Sequence, residues 1–136
     1  FKSGQRENTI MQPLAAALEK NEMKLIATYF SEQQWPGHDR QLAPGSEKSV
    51  QAIVNSGQCP ACHLAGFEGN SRVPWTRAQN QQYLLKTLLD FKYRRRKNAP
   101  DKGILMSTFD DKDLERLATY LSSLPIEYNT IETKSN

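Results

Sequence analysis

The spacing of apolar residues along the chain predicts four helices. Leucine, isoleucine and aromatic residues recur three and four positions apart, which is the period of a helix face that packs on a core. No stretch alternates apolar and polar residues as a half-buried strand would. We therefore expect an all-α fold, with helices over about residues 14–33, 47–56, 78–96 and 111–123.

Proline and glycine mark the breaks between these helices. Trp35-Pro36-Gly37 ends the first helix, and Pro125 ends the last one, for which Asp110 is the predicted N-cap. Ile104-Leu105-Met106 is expected to form a short apolar loop. The chain thus divides into an N-terminal helical segment, a linker, a main domain and a polar tail, over residues 1–36, 37–46, 47–125 and 126–136.

The composition indicates a small domain and argues against two classes of function. Of the 136 residues, 38% are apolar, and the mean hydropathy is −0.70, so the protein atoms alone would build a modest core. The net charge of +3 is too small to indicate nucleic-acid binding. No apolar run approaches the length of a membrane span. No signal peptide follows Phe1, so we expect any targeting segment to lie upstream of it.

The strongest chemical signal is Cys59-Pro60-Ala61-Cys62-His63. Two cysteines separated by two residues and followed directly by a histidine form the attachment motif of a c-type haem. In that chemistry each thiol adds to one vinyl group of the porphyrin, and the histidine binds the iron. Cys59 and Cys62 are the only cysteines in the chain, so neither has a disulfide partner outside the motif. The motif therefore predicts one covalently attached haem c.

Three other roles of a cysteine pair compete with haem attachment. A thioredoxin-like redox pair follows a buried strand, whereas the residues before Cys59 are predicted to be helical and end at Gly57. A zinc site needs four ligands, and the chain offers only His38 beyond the motif. A buried structural pair is possible in any fold. Haem attachment is favoured because the motif is specific and the context of the first two alternatives is missing.

The order of the elements around this motif resembles a class I cytochrome c domain. Helix, haem motif, proline loop, long helix, methionine and final helix follow one another over about residues 46–124. Val73-Pro74 and the helix after it resemble the family's sequence downstream of the haem motif. The resemblance implies that the carbonyl of Pro74 accepts a hydrogen bond from the second ring nitrogen of His63, which would orient the imidazole.

The resemblance also implies a methionine as the axial ligand opposite His63. In the family this residue follows the long helix, and Met106 is the only methionine in that position. A thioether ligand favours ferrous iron and raises the reduction potential. Met106 lies closer to Tyr120 than the family's spacing requires, so an ordinary core role for Met106, another ligand or an open sixth position remain alternatives. His38 is the second candidate ligand.

A repeated string suggests a second cytochrome unit. Ile26-Ala27-Thr28-Tyr29-Phe30 matches Leu117-Ala118-Thr119-Tyr120-Leu121 in its pattern of apolar, Ala, Thr, Tyr and apolar residues. The arrangement resembles the tandem dihaem cytochromes c. It implies that residues 1–36 end a preceding domain and that Met11 is the axial ligand of a first haem attached upstream of Phe1. The alternative is a single amphipathic helix that packs on the haem domain.

A basic run ends the long helix. It comprises Lys92, Arg94, Arg95, Arg96 and Lys97. Cations in the last turn of a helix complement its dipole, so an ordinary solvated helix end explains the run. The functional alternatives are a docking patch for an acidic redox partner or a set of counter-charges for the haem propionates.

Taken together, these patterns predict a periplasmic electron-transfer protein, either a carrier or the cytochrome subunit of a redox complex. No catalytic residue is predicted, because the protein would hold the haem and exclude water from it. The alternative is the haem domain of an oxidoreductase in which the sixth iron position is open or labile. A binding module without haem is the third possibility.

Overall fold

The computed structural model describes residues 1–33, Leu42 and residues 45–126, and within them it contains helices and no strand. The seven helices are α1 (Met11–Ala17), α2 (Lys20–Ser31), α3 (Glu47–Ser56), α4 (Cys59–His63), α5 (Gln81–Lys92), α6 (Pro100–Ser107) and α7 (Asp111–Ser123). The predicted all-α class is confirmed. His38, Trp35-Pro36-Gly37 and the polar tail after Ile126 lie outside the described residues.

The main core forms where α3, α5 and α7 meet. Its buried members are apolar side chains from these three helices and one loop: Val50, Ile53, Val54, Phe67, Leu84, Leu117, Ala118 and Leu121. A smaller cluster of Phe91, Met106 and Leu114 joins α5, α6 and α7. Phe109 packs against both clusters. Helix α4, which carries the haem motif, follows the C-terminal end of α3, and α6 follows the C-terminal end of α5. Both are therefore attached to helices that pack in the core.

Two of the predicted helices have the predicted bounds. Helix α3 covers the residues that its apolar spacing indicated, and α7 begins after Asp110, whose side chain accepts a hydrogen bond from the backbone N–H of Asp113 at 2.7 Å. Helix α5 is shorter than predicted at both ends. Asn80 caps its start by accepting from Tyr83 N–H at 3.1 Å, and Arg94 follows its end with a φ of +57°.

Two sequence predictions of local structure were wrong. The N-terminal helix is divided between α1 and α2, because Glu19 forms a reciprocal capping box with Glu22 and starts a new helix. Ile104-Leu105-Met106 is not a loop but part of α6. Pro100 lies in the first turn of α6, where a backbone N–H would have no partner within the helix. This proline therefore begins α6.

The N-terminal helices differ from the rest because none of their residues is buried. Six of their apolar side chains, Met11, Leu14, Leu25, Ile26, Tyr29 and Phe30, are exposed, and Leu25 is 68% exposed. Helices α1 and α2 therefore contribute nothing to either apolar cluster.

Replacing Leu114 with Ala should destabilise the haem-loaded protein by about 2–5 kcal/mol, because its fully buried side chain joins α5, α6 and α7 and would leave a cavity. The measurement is a denaturant titration followed by circular dichroism. The matched control is Leu25→Ala on α2, for which we expect a change within about 0.5 kcal/mol. Equal losses in the two variants would contradict this description of the core.

Candidate haem site

The two cysteines lie on the short helix α4. Gln58, with a φ of +47°, turns the chain into this helix, and Pro60 lies within its first turn. Cys59 is half-buried, Cys62 is exposed, and both are free thiols. Because residues three positions apart share a helix face, the two sulfur atoms are available to one ligand. Burial raises the pKa of the Cys59 thiol.

The imidazole of His63 is held by a backbone carbonyl. His63 Nδ1 lies 3.0 Å from the oxygen of Pro74, which is the hydrogen bond that the family resemblance implied. A carbonyl oxygen only accepts, so Nδ1 must carry the proton and donate it. The electron pair of the neutral ring is then on Nε2. This is the tautomer that a metal-binding histidine needs, with its other nitrogen fixed by an acceptor.

A tight loop positions Pro74 next to His63. The backbone N–H of Gly69 donates to the oxygen of His63 at 3.0 Å, and Asn70 N–H donates to the oxygen of Val73 at 2.8 Å. The side chain of Asn70 accepts from the N–H of Val73 at 3.0 Å. Gly69 has a φ of +64°, and a Cβ there would lie 2.4 Å from the oxygen of Val73. Only glycine fits this position.

An amine occupies the space in front of His63 Nε2. Lys102 Nζ, from the first turns of α6, lies 3.1 Å from Nε2 and is half-buried. Burial lowers the pKa of Lys102, and burial together with the neighbouring Lys102 lowers the pKa of His63. Lys102 is not among the residues predicted from the sequence, because a lysine within Pro100-Asp101-Lys102-Gly103 has the pattern of an ordinary solvated loop charge.

Met106 lies one turn after Lys102 on α6. Its side chain is 7% exposed and packs with Phe91 and Leu114. Met106 as an axial ligand stays a prediction, and the side chain facing His63 in the structure is that of Lys102.

These residues fit a haem c. They provide two free thiols on one helix face and an imidazole whose Nε2 carries the electron pair. Apolar side chains next to them in the chain, Leu64, Trp75 and Ile104, are exposed, up to 62% for Ile104, and are available to cover an apolar macrocycle. Across the described part of the chain, no group of three or more His, Cys, Asp or Glu side chains is placed to hold a metal ion.

Comparison with known proteins supports this assignment. The sequence matches no protein-family model. It is 29% identical over 91% of its length to the thiosulfate dehydrogenase electron acceptor of Stutzerimonas stutzeri and 38% identical over 60% of its length to cytochrome c4 of Thiocapsa roseopersicina. The chain spans 62% and 41% of these two proteins.

Solved structures give the same result. Acidithiobacillus ferrooxidans cytochrome c4 superimposes with a TM-score of 0.75 at 25% identity, covering 90% of this chain and 77% of that one. Reduced cytochrome c4 from Pseudomonas stutzeri gives 0.73 at 26% identity, covering 88% and 68%. The chain has the all-α fold of class I cytochromes c. Its cofactor is a covalently bound haem c with its iron, and the domain resembles one half of a dihaem cytochrome.

The fold of this chain is shared with a third structure, the thiosulfate dehydrogenase TsdBA of Marichromatium purpuratum. Its TM-score is 0.76 at 22% identity, with 91% of this chain and 29% of that chain covered. At that identity the likeness supports the fold alone. None of the helices in the described ranges of the cytochrome chain is long and apolar enough to cross a membrane.

Replacing Gly69 with Ala should displace the carbonyl of Pro74 and loosen His63, because the added Cβ would collide with the backbone of residues 73–75. We expect the loss of stability to exceed the penalty of about 1 kcal/mol for alanine at positive φ, together with a changed haem absorption spectrum. Denaturant titration and optical spectra of the purified protein measure both effects.

The control for this variant is Gly45→Ala. Gly45 also has a positive φ, +84°, but a Cβ there would meet nothing within 4 Å. It therefore carries the same backbone penalty without the collision, and its haem spectrum should not change. A Gly69→Ala protein as stable as Gly45→Ala, with an unchanged spectrum, would refute the role of Gly69.

Proposed function

We propose that this cytochrome transfers single electrons between redox partners through its haem c. The observation that carries the proposal is the arrangement of Cys59, Cys62 and His63, in which Pro74 fixes the imidazole and leaves its electron pair on Nε2. The similarity to cytochromes c4 and to an electron acceptor supports it. Because the chain spans only part of those proteins, electron transfer as the activity of the whole protein is also a proposal.

Each residue has a defined task in this function. Cys59 and Cys62 would hold the haem through thioether bonds, and the imidazole of His63 would bind its iron. Pro74 holds the ring so that its Nε2 does not rotate away. The bound haem supplies the one-electron couple of its iron. Protein groups that stay fixed while the electron moves keep reorganisation small, and the His63–Pro74 bond is such a restraint.

The alternative function, an oxidoreductase with an open sixth iron position, lacks support from the site. The space in front of Nε2 is occupied by the amine of Lys102. A substrate that binds iron would have to displace this side chain. A nitrogen donor this close to the site supports electron transfer as the function proposed first.

Replacing both Cys59 and Cys62 with Ser should abolish covalent haem attachment, because hydroxyl groups do not form the thioether bonds. The measurement is haem-dependent peroxidase staining after denaturing electrophoresis, where only covalently held haem stays with the chain. Each single variant should keep one thioether and remain stained. Staining of the double variant would show that the haem is not attached at this motif.

The site of electron transfer is proposed to be the periplasm, and the partners are proposed to be redox proteins. One relative is described as the electron acceptor of thiosulfate dehydrogenase. That relative is a precedent for a redox protein as the electron donor. Attachment of haem c to reduced thiols in bacteria takes place outside the cytoplasm, in line with the family resemblance.

Within the proposed docking patch, the five basic side chains are not equivalent. Lys92 pairs with Asp111 at 2.6 Å, and Arg95 pairs with Asp90 at 2.7 Å. Arg96 donates to Asn98 at 2.9 Å and lies over the ring of Phe91. Arg94 and Lys97 are exposed, and the structure records no ion pair for either among the described residues. We infer that these two supply most of the uncompensated charge.

Replacing Arg94 and Lys97 together with Glu should slow association with an acidic redox partner on the order of tenfold at low salt. The rate should also depend less on ionic strength. Stopped-flow reduction over a salt series measures both. The control is the pair Lys20→Glu and Lys48→Glu, which changes the net charge equally at exposed positions of α2 and α3. Equal effects of the two pairs would mean that net charge alone, not a patch, steers the encounter.

Residues 1–36 are proposed to be the end of a preceding cytochrome c domain, with Met11 as an axial ligand of its haem. Two observations support this. The segment repeats the Ala-Thr-Tyr string of α7, and its apolar side chains are exposed in α1 and α2. A helix face of that kind normally packs on a core. Linker 37–46, main domain 47–125 and tail 126–136 complete the proposed division.

A further inference from the structure

The position of Lys102 is unusual for a lysine at the start of a helix. Its side chain turns inward, is half-buried, and ends 3.1 Å from the one nitrogen of His63 that carries an electron pair. A cation in this place would be expected to extend into solvent, since lysine is seldom buried without a partner. The nitrogen it meets is the proposed iron-binding atom of His63. Lys102 Nζ therefore approaches the site from the distal side.

Met106 already has a structural role. It fills the space between Phe91 and Leu114, and Leu85, Leu88 and Phe109 pack around the same cluster. A flexible thioether chain suits such a gap. Binding iron would require the side chain to leave this cluster and open a cavity between α5, α6 and α7. The packing therefore explains Met106 without any iron ligation.

The internal repeat gives independent support to Lys102. When Tyr29 is aligned with Tyr120, Glu19 falls on Asp110, and each of these acidic residues is the N-cap of its final helix. In the same register Met11 falls on Lys102, because each lies eighteen positions before its tyrosine. Met106 falls on Ala15 instead.

The register also accounts for the spacing problem noted in the sequence. Met106 lies closer to Tyr120 than an axial ligand of this family should, whereas Lys102 has the same distance to Tyr120 as Met11 has to Tyr29. The residue in the ligand position has changed from methionine to lysine, and the loop has not been shortened. Pattern and geometry thus indicate the same side chain.

We propose that the amine of Lys102, and not the thioether of Met106, is the axial ligand opposite His63. The proposal rests on the proposed haem function of Cys59, Cys62 and His63. Lysine ligates a metal as the neutral amine, so iron replaces the ammonium proton. Its four-carbon stem is flexible enough to retract slightly and admit the iron between the two nitrogens. A harder nitrogen donor favours ferric iron relative to a thioether, so the reduction potential is lower than with methionine.

The test compares oxidised haem-loaded proteins by optical and electron paramagnetic resonance spectroscopy. The wild-type protein should be low-spin and lack the weak thioether-to-iron band at the red end of the spectrum. Lys102→Met should gain this band, and its reduction potential should rise. Lys102→Ala should become high-spin, because the axial donor is lost. Met106→Leu, which conserves volume, should keep the wild-type spectrum and change only in stability.

Lys102→Arg separates ligation from charge. Arginine keeps the positive charge and the length of the side chain, but it does not deprotonate in proteins and cannot bind iron as an amine. If Lys102 is a ligand, this variant should become high-spin like Lys102→Ala. An unchanged low-spin spectrum of Lys102→Arg would show that Lys102 serves only as a charge and would overturn the proposal.

The outcomes distinguish this proposal from the haem function on which it rests. A thioether band in the wild-type protein that disappears in Met106→Leu would overturn the Lys102 assignment and establish Met106, with the haem still attached. Loss of haem staining from the wild-type chain after denaturation would instead remove the haem function, and the ligand assignment with it.

Discussion

The hydrogen bond between His63 Nδ1 and the carbonyl of Pro74 is the interaction on which the site depends. It fixes the tautomer, so that the electron pair of the ring is on Nε2, and it fixes the direction in which Nε2 faces. The loop that supplies the carbonyl is held in place by Gly69 and Asn70. Without this restraint the imidazole of His63, on a five-residue helix that is only partly buried, would have several rotamers. The haem motif alone provides the bonding groups, and the loop gives them their orientation.

Helix α6 connects this oriented ring to the core. Met106 on one turn packs with Phe91 and Leu114, and Lys102 on the preceding turn meets His63. The apolar cluster thus anchors the helix, and the anchored helix holds the amine in place. The thioether of Met106 packs in the core, and the amine of Lys102 faces the metal site. A methionine that served as the axial ligand could not at the same time fill the cluster with Phe91 and Leu114. Under the proposed ligation, the amine on α6 would set the reduction potential, while the packing of Met106 one turn away contributes to stability.

Sequence patterns predicted the parts of the molecule that local rules determine. Helices α3 and α7 and the cap at Asp110 follow from apolar spacing and capping chemistry, and the motif at Cys59 identified the cofactor. The split at Glu19 was missed because glutamate more commonly lies inside a helix, whereas here it forms a capping box that starts α2. The helical state of Ile104-Leu105-Met106 was missed because proline more commonly breaks a helix, whereas Pro100 lies in the first turn of α6. Lys102 was missed because its significance depends on a contact with His63, thirty-nine positions away. The register of the internal repeat contained that information.

The central claim, that His63 binds the haem iron through Nε2 with Nδ1 held by Pro74, is tested most directly by nuclear magnetic resonance of the reduced, ¹⁵N-labelled protein. The chain has two histidines, His38 and His63. We expect one histidine ring, that of His63, to show strong upfield shifts from the porphyrin ring current and a slowly exchanging Nδ1 proton, while His38 has ordinary shifts. Ordinary shifts and fast exchange for both histidines would contradict the account.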